Sequence, residues 1–110
     1  MDQEVKAASV VLTSKSLQEA SYWQALERLV RELAQGGTVA VVAWGDAVYL
    51  AGAGRPEQAW LKTWPARFYV LGPDLAARGL SSHRADWVFP VGYSEVVDLI
   101  FDAERTVSWT

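Results

Sequence analysis

YVLGPDLAARGL, residues 69–80, holds a strand end, a turn and a short helix in one stretch. Tyr69-Val70-Leu71 is a β-favouring apolar run, and Gly72 permits the turn that leaves it. Pro73 lacks an amide hydrogen and fixes φ at a helical value, which suits a first helical turn. Asp74 sets a negative charge at the positive end of the helix dipole, and Gly79 after Arg78 provides the stop. The Gly-Pro-Asp turn could hold a ligand, but every one of its residues already has a structural role. It reads as the hinge by which a buried strand becomes a helix.

Working outward, Arg67–Leu71 is a strand and Asp74–Arg78 a short helix. Upstream, Ala7–Leu12 and Thr38–Ala43 are short apolar runs with β-branched enrichment, too short for helices and apolar on both faces, as buried parallel strands are. Between them Ser16-Leu17-Gln18-Glu19 matches a capping box, and Tyr22, Leu26, Leu29, Val30 and Leu33 follow at helical spacing, so a helix is expected over 17–34. Residues 47–51 read as a short helical or irregular piece, and 56–62 as another short helix with Pro56 near its first position. Downstream, Asp86–Pro90 is a fourth strand, Ser94 is placed to cap a helix carrying Val96, Val97, Leu99, Ile100 and Phe101, and Thr106–Trp109 suits a short edge strand. Repeated strand and helix alternation predicts a three-layer α/β/α fold around a mostly parallel sheet of about five short strands.

The chain has 110 residues, 51% hydrophobic and 21% charged. That is the composition of one folded domain spanning 1–110. MDQEVK lacks the basic and apolar start of a signal peptide, and no apolar run approaches bilayer length, so a cytoplasmic protein is expected. The chain has no cysteine and a single histidine, His83. Thiolate chemistry on this chain is excluded, and neither a metal site nor a cofactor is expected. With a net charge of −3 and scattered Lys and Arg, no basic stripe exists for direct nucleic-acid contact.

Ligands of parallel α/β sheets gather beyond the carboxyl ends of the strands. The candidates there are Ser14, Asp46, Asp74 and Tyr93. Thr13-Ser14-Lys15-Ser16 lacks the glycines of a phosphate loop, and Gly52-Ala53-Gly54 lacks the third glycine of a dinucleotide fingerprint. Ser14 or Ser16 with His83 supplies the letters of a hydrolase, but no nucleophile-elbow sequence accompanies them. Six tryptophans are too many for so small a core to enclose fully. Trp44, Tyr49, Trp60 and Trp109 are therefore the candidate interface aromatics, with core packing the competing role.

Several segments, in order, carry a family resemblance. Residues 69–80 resemble the strand and D-L-x-A-R-G helix of the DsrH/TusB family, and Asp46-Ala47-Val48-Tyr49-Leu50-Ala51 resembles its D-G-[IV]-Y-A-A turn. Gly92–Leu99 is similar to its D-Y-x-x-F-V-D-L helix start, Thr106–Trp109 to its V-x-A-W ending, and Leu12–Ser16 to its H-T-x-x-K-S loop. The resemblance implies a subunit of the DsrE/DsrF/DsrH type, in which three related small proteins form a hetero-oligomer that relays persulfide sulfur. It implies cysteine-bearing DsrE/TusD-like and DsrF/TusC-like partners, and service in either tRNA wobble-uridine 2-thiolation or sulfur oxidation. The first-helix cysteine of some members has no counterpart between Leu17 and Leu33, so no sulfur-accepting residue transfers and no catalytic residue is expected. Ala47 replaces the usual glycine after the turn aspartate, Gly92 the usual aspartate before Tyr93, and Leu12 the usual histidine. A self-associating small-molecule binder of the same fold is the alternative.

Overall fold

The computed structural model describes residues 7–52 and 54–109. The chain runs through β1 (Ser9–Thr13), α1 (Ala20–Leu33), β2 (Val39–Ala43), a 3-10 segment (Gly45–Ala51), α2 (Gln58–Leu61), β3 (Arg67–Leu71), α3 (Gly72–Ala77), a 3-10 turn (Ser81–His83), β4 (Val88–Val91), α4 (Tyr93–Asp102) and β5 (Arg105–Trp109). The strands form one sheet in the order β4-β3-β2-β1-β5, and every pairing is parallel. The expected α/β class and strand number hold.

The topology distributes the helices unequally. From β1 to β4 each strand is laid beside the last in one direction, and then α4 carries the chain back to the far side of β1. Right-handed crossovers that travel in opposite directions lie on opposite faces of the sheet. Accordingly Trp23, Leu26 and Val30 of α1, Leu61 of α2 and Leu75 of α3 share one core with Val11, Val41, Phe68, Val70 and Val88. On the other face Leu99 of α4, flanked by Val96 and Ile100, packs against Val10, Ala40, Val42, Tyr69 and Val91. Among the described residues one ten-residue helix, α4, lies over that face. The central strand β2 is buried throughout. Pro90, unable to donate a ladder bond, lies in β4 at the sheet edge, where its missing hydrogen is tolerated.

The helix starts differ from the sequence expectation: α2 begins at Gln58 and not at residue 56, and α3 at Gly72 and not at Asp74, with Pro73 in its first turn. α1 begins at Ala20 and not at residue 17, and no side chain caps it. Leu17 is drawn into the core, and the Trp23 indole donates to the Ser16 carbonyl at 3.0 Å. Ser16 Oγ meanwhile accepts only from the Gln18 amide at 3.2 Å, so the Ser16–Glu19 capping box is not formed. The start of α4 also moves: the N-cap is Gly92, and Ser94 lies inside the helix. The Gly92 amide donates to Glu95 Oε1 at 2.7 Å, supplying half of a capping box without the serine. The fourth strand correspondingly lies at Val88–Val91, two residues later at its start than expected.

Tyr22 joins the two strands that flank the reversal of strand order. From α1 its hydroxyl donates to the carbonyl of Trp109 at the end of β5 and bonds Thr13 Oγ1 at the end of β1. Burial, with the Glu19 carboxylate adding to it, pushes the Tyr22 hydroxyl above its ordinary value of 10.0, against the opposing effect of the Thr13 bond. The proton is therefore held more tightly in the folded than in the unfolded chain, and its stabilisation is complete below pH 10.0 and lost as pH rises through the higher folded value. Tyr22→Phe is expected to lower stability by about 1–2 kcal/mol at pH 8. In urea unfolding the gap between wild type and variant should shrink at pH 11.

Candidate functional site at the carboxyl ends of the strands

The strand-end loops are held together by α3. Gly45 follows Trp44, whose amide donates to the Thr13 carbonyl at 3.0 Å and so continues the β1–β2 ladder into the loop. At Gly45 the chain turns with φ of +56°, the left-handed region that glycine enters without strain. That turn aims the Gly45 amide at Asp74 Oδ2, 2.7 Å away. One turn further along α3, Arg78 reaches the same loop and contacts Asp46 Oδ1 at 3.2 Å. Its guanidinium lies 5.9 Å from the centre of the Tyr49 ring, within cation–π range, and bonds back to the Asp74 carbonyl at 3.3 Å.

The helix ends in a way that positions Arg78. Leu80 N bonds Leu75 O at 3.1 Å and Gly79 N bonds Ala76 O at 3.0 Å, with Gly79 at φ +69°. This is a Schellman stop with Arg78 at the C-cap, made by the Arg-Gly pair read in the sequence. Asp74 and Arg78, four residues apart, therefore present an acceptor and a donor to one loop.

Of the strand-end candidates, Asp46 and Asp74 are brought together through Arg78 and the Gly45 amide. Ser14 lies against Gly45, close enough that a Cβ built there would be 3.6 Å from that of Ser14. Tyr93 starts α4 just beyond the end of β4, 63% exposed, and makes no hydrogen bond to these groups among the described residues. Next to this latch, made by the Asp74–Gly45 and Arg78–Asp46 contacts, an open depression of about 410 Å³ is lined by Ser16, Gln18, Asp46, Tyr49 and Arg55. His83 is exposed, and its Nδ1 lies 3.0 Å from the hydroxyl of its neighbour Ser82. No hydrogen bond joins it to Ser14 or Ser16 among the described residues, so the serine and histidine letters do not form a dyad.

The four aromatic candidates divide. Trp44 and Tyr49 are 41% and 40% exposed beside the latch. Trp60 is half-buried, stacked edge-on against Trp64 at 5.2 Å with its indole donating to Glu27 at 3.2 Å. Trp109 is half-buried against Tyr22. Two features went unread in the sequence. Arg78 stands in the sequence as part of a motif and not as the tie to Asp46; its i+4 spacing from Asp74 puts both on one side of α3 but does not name the loop they reach. Tyr93, Val97 and Phe101, also at i+4 spacing, form an exposed apolar row on α4.

The five-stranded parallel sheet with helices on both faces defines the class of α/β fold. The fold matches that of the YchN protein from E. coli, with a TM-score of 0.75 at 16% identity, covering 91% of this chain and 97% of that one. It also matches the protein of unknown function MTH1491 from Methanobacterium thermoautotrophicum, with a TM-score of 0.67 at 20% identity over 88% and 97% of the two chains. Within that class, the family model described as DsrH like protein matches residues 20–106. Protein TusB of Serratia proteamaculans (strain 568) is 32% identical over 84 residues, 76% of this chain and 86% of that protein. The chain belongs to the DsrH family.

The two arms of the latch differ in strength. Asp74 accepts from a part-buried amide, a charge-assisted bond, whereas the Asp46 side chain is 67% exposed and its pairing with Arg78 is screened by water. Asp74→Ala is expected to lower stability by about 1–2 kcal/mol and Asp46→Ala by less than about 0.5 kcal/mol, measured by urea unfolding.

Proposed function

We propose that the chain is a non-catalytic subunit of a cytoplasmic sulfur-relay complex of the TusBCD/DsrEFH type. Membership of the DsrH family carries this reading. The chain contributes no cysteine, so a persulfide has no side chain here on which to reside. Its D-L-x-A-R-G element is occupied in fastening α3 to the loop after β2, which supports a scaffold role over a reactive one. Among the described residues no helix is long and apolar enough to cross a membrane. The partners are the two cysteine-bearing relatives, DsrE/TusD-like and DsrF/TusC-like, and the sulfur passes between their cysteines and an external carrier. The relay ends in 2-thiolation of the tRNA wobble uridine or in sulfur oxidation.

A second reading draws on the depression beside the latch. A self-associating protein that binds a small molecule there through Asp46, Arg55 and Tyr49 would be stabilised by about 2.7 kcal/mol with ligand at 100 times its dissociation constant. The cysteine-free chain and the family favour the relay.

The test is sulfur transfer with a radiolabelled persulfide donor, using the two cysteine-bearing subunits with and without this chain. Label is expected on the partners' cysteines and none on this chain, with transfer falling at least tenfold when this chain is left out. Transfer unchanged by its omission would overturn the reading.

A further inference from the structure

The large exposed hydrophobic side chains of the described residues fall at two places, and only one of them forms a continuous row. Trp44 and Tyr49 flank the latch, whereas Phe89, Tyr93, Val97 and Phe101 lie on the side of the sheet covered by α4. Their exposures are 52%, 63%, 61% and 86%. Together they leave on the order of 500 Å² of apolar surface in water, the size of the largest and often functional patches on monomers.

The geometry of α4 shows why the row stays open. At 100° per residue, Leu99, Ala103, Val96, Ile100, Tyr93, Val97 and Phe101 span an apolar arc of roughly 200°, twice the stripe that packing against one surface requires. The sheet takes the part centred on Leu99, Val96 and Ile100. The remainder, Tyr93, Val97 and Phe101, points away from the molecule's own core. Phe89 sits on the same side in β4, its ring 6.2 Å from that of Tyr69.

Charge decides the occupant. Residues 92–104, GYSEVVDLIFDAE, hold four carboxylates and no basic side chain. Asp98 and Asp102 follow the apolar row along one border, and all four acids are exposed. Strand alternation turns one basic residue of the described sheet, Arg67 of β3, to this side. A two-fold contact between copies would place the patch against itself and bring two acidic borders into one interface, a repulsive juxtaposition. The complement of this surface is an apolar strip bordered by lysine or arginine, carried by a different chain.

We infer that the outer face of α4, with Phe89 beside it, is the surface by which this chain docks on a partner of different sequence whose apolar contact strip has a basic border. This rests on the subunit reading above, and names the surface that reading leaves open. Standard interfaces bury about 800 Å² on each side, so the apolar row with its acidic border supplies the central part of one.

The probe is the pair of cysteine-bearing subunits titrated with this chain in a calorimeter. Phe101→Asp is expected to weaken binding at least tenfold, and Val97→Asp to do the same. Both side chains are exposed, so circular dichroism and the melting temperature should stay at wild-type values. Asp98→Asn with Asp102→Asn should weaken binding at 50 mM salt and flatten the salt dependence that wild type shows up to 0.5 M. Gln24→Asp on the exposed side of α1 should bind within twofold of wild type. If wild type binds and Phe101→Asp binds equally well, the docking face is wrong while the subunit role stands. If wild type does not bind, both fall. Wild type forming a dimer that Phe101→Asp dissolves would assign the face to a second copy and overturn the choice of partner.

Discussion

Every strand runs in the same direction, and that constraint governs the rest of the molecule. A parallel strand can be reached only by a connection that crosses a face of the sheet. Three such connections step from β1 to β4 and share one face, so α1, α2 and α3 with the 3-10 segment enclose a thick, Trp-rich core. The fourth, through α4, must cross the other face alone. The molecule therefore has one well-covered side and one side where a single helix lies over Val10, Ala40, Val42 and Tyr69. The exposed row on α4 and the half-exposed Phe89 follow from that arithmetic of crossings.

The same parallel order collects the strand ends at one edge, where enzymes of related architecture place their chemistry. Here that edge is occupied by internal bonds. Asp74 is committed to the Gly45 amide, Arg78 to Asp46 and the Tyr49 ring, and Tyr22 to Thr13 and Trp109. Groups already satisfied by their own chain are poor starting points for binding a substrate. The latch ties this edge together with one loop, one short helix and a left-handed glycine.

Much of this was legible in the sequence where local signals and tertiary demands agreed. Residues 67–71 and the stop at Gly79 are where apolar runs and helix-ending glycine place them, and the strand and helix alternation gave the parallel sheet. The helix starts were misread because a serine at a capping position competes with longer-range partners. Leu17 prefers the core and the Trp23 indole takes the Ser16 carbonyl, while Gly92, leaving β4 in an extended conformation, starts α4 two residues before Ser94. The Asp46–Arg78 pair was not readable because it joins residues 32 apart that only the fold brings together. The open row on α4 was present in the pattern, since Tyr93, Val97 and Phe101 widen the apolar arc. It was absorbed into a general expectation of an amphipathic helix because which part of the arc the sheet covers is a tertiary fact.

Hydrogen–deuterium exchange of this chain alone and in the presence of the two cysteine-bearing subunits proposed as its partners tests most directly whether the thinly covered side of the sheet is where a hetero-oligomer is built. The expected result is slowed exchange confined to 88–104, with the amides of α1 unchanged. Unaltered exchange in 88–104, or protection that appears instead over α1 and α2, would contradict it.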